Sequence, residues 1–383
     1  MIKPLVTGVV GCGRISDIYF ETLAKYPEVD VVACASLDLA ESQAKAKQHN
    51  IQKAYTVDAL MSDPEIEAVL NLTIPTAHAE IAQLALENGK HVYSEKPLVS
   101  DLAEGRKILD FAATQGLTVG NAPDTFFGGR WQTVRKLIDD GAIGKPTGAA
   151  AFVGSHGTER HNPNPDFYYK TGAGPLLDLG PYYLSAMVFF LGPIARVAGM
   201  SNRAFDKRMI ENGPRDGEWM QVEIDTHVQG MLEFESGVIA SITMSFDIWD
   251  SEMPRLEIYG ENGTICIPDP DPVHGANVFE GEVWLRTRET SRWTHKPRPT
   301  GREHWTIVPI EHGLNEDSRG IGLVEMAYAI REGRPPRASG DLAYHTLEAM
   351  LGILDSPKHG RFVEIQSTTD IPPLLPTVFP SEH

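Results

Sequence analysis

The chain has 383 residues, 42% hydrophobic and 22% charged, enough for two domains with cores of their own. A formal net charge of −18 argues against a nucleic-acid partner, whose phosphates call for a basic face. Three widely spaced cysteines, Cys12, Cys34 and Cys266, form no Cys-x-x-Cys pair, and the apolar start is too short to span a membrane, so a cytoplasmic protein with no signal peptide and no membrane contact is expected.

Leu5–Val10 reads as a fully buried strand, and Gly11-Cys12-Gly13-Arg14-Ile15-Ser16 follows, leading into the helical spacing Ile15, Tyr19, Leu23. Gly11 and Gly13 allow a tight turn and close approach of a pyrophosphate, while the helix start at Arg14 and Ile15 supplies N–H groups and a positive dipole end. Ser16 stands where a third glycine usually falls, and its small side chain still lets helix and strand pack. A second strand, Val29–Ala35, ends at Ser36-Leu37-Asp38, where an acid would take the ribose hydroxyls of NAD. No Arg or Lys is adjacent to receive the extra phosphate of NADP, so the reading of NAD or NADP leans to NAD.

Ala68–Leu72 is expected as a strand, ended by Pro75, with Thr76 capping a helix that runs to about Glu87. His78, in the first turn of that helix, reads as a packing or capping residue rather than a catalyst. His91–Ser94 is a strand end that runs into Glu95-Lys96-Pro97, leaving Lys96 at the carboxyl end of a strand, where open parallel sheets bind ligands. Asp101–Glu104 has the form of a capping box opening a helix towards Thr114, and Leu117–Gly120 is one more strand. The alternation predicts an α/β fold, a Rossmann-type doubly wound parallel sheet in a domain spanning 1–122.

The remainder, 123–383, is expected to form an α+β domain with a mostly antiparallel open sheet for substrate binding and oligomerisation. Leu232 to Phe246 alternates around Ser236-Gly237, and Arg255–Ile267 does so around Glu261-Asn262-Gly263, both hairpin patterns. Pro268–Pro272 and Lys296–Arg302 read as loops, and Gly322–Glu332 and Leu342–Asp355 as helices with Gly333 as a stop between them. An exposed sheet face has to be covered, which predicts a homodimer or homotetramer through this sheet.

Gly172 to Tyr183 precedes an apolar run, and a helix starting near Asp178 would set Asp178 and Tyr182 one turn apart on one face, with Pro181 in its first turn. A phenol serves as a base only if its pKa is pulled down, which an ammonium such as Lys96 would do. The alternative is that Asp178 caps the helix and Tyr182 belongs to the core.

Taken together, the G-x-G turn, Thr73-Ile74-Pro75-Thr76-Ala77-His78, Glu95-Lys96-Pro97 and Gly172 to Tyr182 resemble the glucose-fructose oxidoreductase / inositol dehydrogenase / rhizopine catabolism (Gfo/Idh/MocA) family in order and spacing. The resemblance implies that Thr73, Pro75, His78, Glu95 and Lys96 lie along the cofactor and that Lys96 stands beside the reacting oxygen. Asp178 matches the aspartate of the family's Gly-rich helix start. Two positions depart from the family pattern: Tyr182 stands where most members have histidine, and Ser185 where they have a second aspartate. The tyrosine is similar to that of the branch with glucose-fructose oxidoreductase, xylose dehydrogenase and dihydrodiol dehydrogenases, in which tyrosine is the acid/base.

Ser155–Lys170 is crowded with His156, Glu159, Arg160, His161, Tyr168 and Tyr169, a mix suited to a polyhydroxylated ligand. Asp124, after the last parallel strand, is expected at the same crevice, and no metal site is expected, since His156 and His161 lack ligand spacing. The expected function is hydride transfer between a sugar or polyol and NAD(P), catalysed by Lys96, Asp178 and Tyr182. An NAD-dependent glycosidase using transient oxidation, or a non-catalytic nicotinamide-binding regulator, are the alternatives.

Overall fold

Apolar runs separated by turn residues produce strand and helix in alternation from the first residues on. The computed structural model describes residues 2–268, 279–294, 303–311 and 314–379. The first part runs β1 (Leu5–Val10), α1 (Ser16–Leu23), β2 (Val29–Ala35), α2 (Leu39–His49), β3 (Lys53–Tyr55) and α3 (Val57–Ser62). It continues with β4 (Ala68–Asn71), α4 (His78–Glu87), β5 (His91–Ser94), α5 (Leu102–Gln115) and β6 (Val119–Asn121). All six strands pair in parallel in the order β3-β2-β1-β4-β5-β6, so the strand order reverses between β1 and β4. Apart from the half-buried edge strand β3, their buried, unalternating sequences are what a sheet covered on both faces requires.

The helix starts are local chemistry. Asp101 accepts from the N–H groups of Ala103 and Glu104 at 2.8 and 3.2 Å. Asp38 caps α2 in the same way, through Ala40 N at 2.9 Å. Thr76 does not cap α4, because Pro75–Ala77 forms a 3-10 turn that feeds the helix without a side-chain cap.

From there the chain forms α6 (Gly129–Asp139), β7 (Pro146–Gly154), α7 (Pro175–Leu191), β8 (Ile194–Asn202), β9 (Lys207–Met209) and β10 (Trp219–Gln221). Next come β11 (His227–Phe234), β12 (Ile239–Ser245), β13 (Leu256–Gly260), β14 (Gly263–Ile267), β15 (Val283–Thr287) and β16 (Thr306–Val308). The chain closes with α8 (Ile321–Glu332), α9 (Gly340–His359) and β17 (Val363–Glu364). Nine strands make one sheet in the order β16-β15-β14-β13-β7-β12-β11-β8-β17. Every pairing in it is antiparallel except β7 with β12.

Both predicted hairpins form: Gly260 pairs with Gly263 across Glu261-Asn262, and Gly237 turns at φ 81° between β11 and β12. Apart from Pro268, the loops expected over Pro268–Pro272 and Lys296–Arg302 lie outside the described residues. Alternate residues of the sheet face inward, where α7 covers β7, β11 and β12 and α9 covers β8. At Gly199 the approach is so close that a Cβ would stand 2.4 Å from the Ile353 carbonyl oxygen.

The chain divides into two compact units. One comprises the described residues through Phe127, Asp317–Tyr344 and those from Leu375 on; the other comprises Gly128–Glu316 and His345–Leu374. The division is therefore not a single cut at 122/123. Residues 317–344 return to the first unit because α8 packs on α1 and β6 and Asn121 N donates to the Ala338 carbonyl at 2.9 Å.

Candidate functional site

In the first unit, the turn after β1 is built for a backbone-binding ligand. Gly11 sits at φ +108°, and a Cβ on it would lie 2.5 Å from the Leu72 carbonyl oxygen, so the fold itself demands glycine there. Gly13 differs: a Cβ on it would meet nothing within 4 Å. The chain places no demand on that position, whereas a pyrophosphate resting on the backbone would, and the residues present fit such a group. Ser16 is buried and its hydroxyl donates to the Gly13 carbonyl at 2.7 Å, tying the turn to the start of α1. Arg14 and Ile15 are exposed at that helix start.

At the tip of β2, Ser36 Oγ donates to Glu41 at 2.6 Å, and Asp38 is occupied as the cap of α2. Glu41 was not singled out from sequence, because it lies inside a helix and meets Ser36 only through the fold. Lys45, a basic side chain of α2, is held by Asp17 at 2.5 Å.

The segments after β4 and β5 are joined by buried polar groups. Asn71, also missed from sequence, accepts from the Thr73 hydroxyl at 2.7 Å and donates to the His78 carbonyl at 3.1 Å. His78 is fully buried, with Nδ1 2.7 Å from the Pro97 carbonyl oxygen and Nε2 3.0 Å from that of Thr73. Burial holds its pKa below the ordinary value, against the pull of the two carbonyls. His78 thus fastens the Thr73–Pro75 segment to the Glu95–Pro97 segment. Glu95 accepts from the Tyr19 hydroxyl and from Lys96 N, both at 2.8 Å, and Lys96 itself is half-buried.

Asp124 does not open onto a crevice. It is buried, and its Oδ2 accepts from Gly320 N at 2.8 Å and Gly322 N at 2.9 Å, anchoring the start of α8. Burial pushes its pKa up to about 6, with the two amides opposing.

In the second unit, α7 begins at Pro175, not at Asp178, because Gly174 at φ 104° sets the boundary and Pro175 takes the first position. Pro181 therefore lies inside the helix rather than in its first turn, and Asp178 is not its cap. Asp178 and Tyr182 still lie one turn apart on one face, Asp178 half-exposed and Tyr182 buried.

The 155–170 segment is pinned by a buried ion network that sequence spacing does not show. The Arg208 guanidinium on β9 donates to Glu159 at 2.6 Å and to Asp247, the Tyr169 hydroxyl donates to Glu159, and Thr226 donates to Asp247 at 2.7 Å. Tyr169 belongs to a core cluster with Ile210, Met220, Val222 and Phe246, against which Tyr168 and Leu179 of α7 pack. Tyr168 is half-buried against that cluster, and His161 is exposed. His156 stacks on Trp249 with ring centroids 3.4 Å apart, and burial lowers its pKa. Among the described residues, no group of three or more His, Cys, Asp or Glu side chains is placed to hold a metal ion.

Lys96, the Gly11–Gly13 turn and Ser36 thus belong to the first unit; Asp178, Tyr182, His156, His161 and Tyr168 belong to the second. No described helix is long and apolar enough to cross a membrane.

Two family descriptions match the chain: "Oxidoreductase family, NAD-binding Rossmann fold" over residues 5–122 and "GFO/IDH/MocA C-terminal domain" over residues 131–266. Among curated relatives, the 1,5-anhydro-D-fructose reductase of Ensifer adhaerens is 26% identical over 373 residues, covering 94% of this chain and 98% of its own. The trans-1,2-dihydrobenzene-1,2-diol dehydrogenase of Bos taurus is 29% identical over 330 residues, covering 85% and 87%. Among solved structures, a levoglucosan dehydrogenase in complex with NADH and L-sorbose superposes with a TM-score of 0.80 at 18% identity, covering 96% of this chain and 100% of that one.

Proposed function

The chain belongs to the Gfo/Idh/MocA family of NAD(P)-binding oxidoreductases, and from that premise we propose that it moves hydride between a sugar or polyol carbon and the nicotinamide. The observation that carries the reading is the Asp178–Tyr182 pair, a carboxylate and a phenol one turn apart at the start of α7, in a chain whose other unit carries the dinucleotide turn and the Glu95-Lys96-Pro97 segment. Near full-length similarity to a 1,5-anhydro-D-fructose reductase supports a carbohydrate substrate.

In this reading Tyr182 takes the proton of the reacting hydroxyl in oxidation and returns it in reduction, the Lys96 ammonium favours the phenolate form, and Asp178 orients the hydroxyl. The bound nicotinamide supplies the hydride acceptor or donor. Gly11 shapes the tight turn, Gly13 lets the pyrophosphate approach the backbone, and Ser36 and Glu41 face the ribose. A carboxylate at that point repels a 2′-phosphate, which favours NAD over NADP. Tyr168, His156 and His161 supply hydrogen-bonding and aromatic surface to the substrate.

The outer face of the nine-stranded sheet carries Met200, Met231, Ile239 and Tyr259, all exposed, and we assign it to a homodimer. Sedimentation at micromolar concentration checks this, and monomer alone would remove it.

Purified protein mixed with NAD or NADP and a panel of aldoses, polyols and their acids tests the activity. Formation of reduced nicotinamide with one sugar class is expected. Binding of cofactor without turnover of any sugar would leave the regulator reading, and sugar release without net reduction the glycosidase reading.

A further inference from the structure

The turn that cradles the dinucleotide has a thiol at its centre and a second thiol beneath it. Cys12 lies between Gly11 and Gly13, partly exposed, with Sγ 3.5 Å from the Ala35 carbonyl oxygen. Cys34, buried next to Ala35 near the end of β2, has its Sγ 3.4 Å from the Ser42 carbonyl oxygen. Strand register brings them together, since Val9 pairs with Cys34, Val10 with Ala35, and Gly11 N donates to the Ala35 carbonyl at 2.9 Å. The neighbouring Cys34 is the main influence holding the Cys12 thiol below its ordinary pKa, with Lys45 nearby adding to it. The outer thiol is thus the nucleophile, and the buried one is placed to resolve it. The third cysteine, Cys266, lies in the other unit.

We propose that Cys12 and Cys34 are a peroxide-sensitive modification site whose disulfide turns off dinucleotide binding. The Cys12 thiolate attacks one oxygen of hydrogen peroxide, breaking the O–O bond to give the sulfenic acid and hydroxide. Cys34 sulfur then attacks the Cys12 sulfur, its proton leaves with the hydroxyl as water, and the S–S bond closes; peroxide is reduced by two electrons and the two thiols are oxidised.

An S–S bond of about 2.0 Å is far shorter than any non-bonded contact between two sulfurs, so closure draws the turn by a distance on the order of an ångström. Gly11 is tied to the Ala35 carbonyl through its N–H, so the turn beyond it is what changes direction. The consequence for binding rests on the reading of Gly11–Gly13 as the cofactor turn. Reciprocity then requires that bound dinucleotide resist oxidation by the same factor.

The experiment treats the full-length protein with hydrogen peroxide, maps cysteine peptides by mass spectrometry with and without dithiothreitol, and titrates NAD into the reduced and oxidised forms. A reducible Cys12–Cys34 peptide is expected, with Cys266 unlinked and NAD affinity at least about tenfold weaker in the oxidised form. Equilibration in a dithiol buffer should show saturating NAD raising the reduction potential by about 30 mV per tenfold. Absence of the linked peptide, or linkage with unchanged NAD affinity and potential, overturns the proposal. Reversible loss of NAD affinity in Cys34→Ser equal to that of the parent protein would also overturn it; should that variant not fold, the potential shift decides. Reduced protein that binds neither NAD nor NADP fails the cofactor reading instead, and is told apart from a failed switch, in which reduced and oxidised forms bind alike.

Discussion

Arg208 donates to Glu159 at 2.6 Å with each side chain only 4% exposed, and the same guanidinium also pairs with Asp247. Removing the cation leaves two carboxylates buried without it. Arg208→Ala is expected to cost about 3–5 kcal/mol in chemical denaturation. Because Glu159 lies in the 155–170 segment, sugar KM should rise in whatever protein remains folded, with NAD affinity unchanged. A loss below about 1 kcal/mol would mean the network contributes little.

The two glycines of the dinucleotide turn separate fold from ligand. Gly13→Ala adds a methyl that meets nothing in the chain, so stability should stay within about 0.5 kcal/mol while NAD affinity falls. Gly11→Ala, at φ +108° against the Leu72 carbonyl, should lose more than about 1–2 kcal/mol of stability. Equal destabilisation by both would contradict the assignment of Gly13 to ligand approach.

Glu41 should set coenzyme choice. Glu41→Arg replaces the carboxylate beside Ser36 with a phosphate-binding group, and the ratio of kcat/KM for NADP over NAD should rise about tenfold or more, equivalent to about 1.4 kcal/mol. An unchanged ratio would place the ribose elsewhere.

Asp124 should give stability a recognisable pH signature. Its folded pKa of about 6 lies above the ordinary carboxylate value of 3.8, so the stabilising contribution is present at the acid end and lost as pH rises through about 6. Asp124→Asn can still accept from Gly320 and Gly322 but cannot ionise. The parent protein should therefore lose stability relative to this variant between about pH 4 and pH 6, by an amount on the order of 3 kcal/mol. Parallel stability curves for the two proteins would show that Asp124 does not titrate there.

For catalysis, Tyr182→Phe and Lys96→Met should each lower kcat by about a hundredfold or more, with much smaller effects on NAD affinity. Steady-state kinetics beside NAD titration separates the two, and near-full turnover in both variants would remove the mechanism.

The alternating first part was legible because its signals are local: buried runs for β1, β2, β4 and β5, two glycines at the turn, and Asp101 as a cap. The Glu261-Asn262-Gly263 hairpin was legible for the same reason. Where reading failed, the deciding partner was distant or conformational. The start of α7 at Pro175 depends on the backbone of Gly174, and Asp124 looked like a crevice residue until the N–H groups of Gly320 and Gly322 came to it from far along the chain. Arg208, Glu159 and Asp247 carry no mutual spacing, and Asn71 and Glu41 act through contacts that only the folded chain makes.

One feature of the sheet bears on how the chain is made. β7 is the central strand of nine, yet neither neighbour, β12 or β13, exists until the chain has been extended past residue 239. During synthesis both of its hydrogen-bonding edges wait unpaired, the condition in which strands recruit wrong partners. Ala149, Ala150 and Ala151 fill its middle with side chains too small to offer a sticky surface. The strand that waits longest is thereby a poor template for aggregation, and larger apolar residues at the same positions should lower the yield of folded protein even where the finished sheet has room for them.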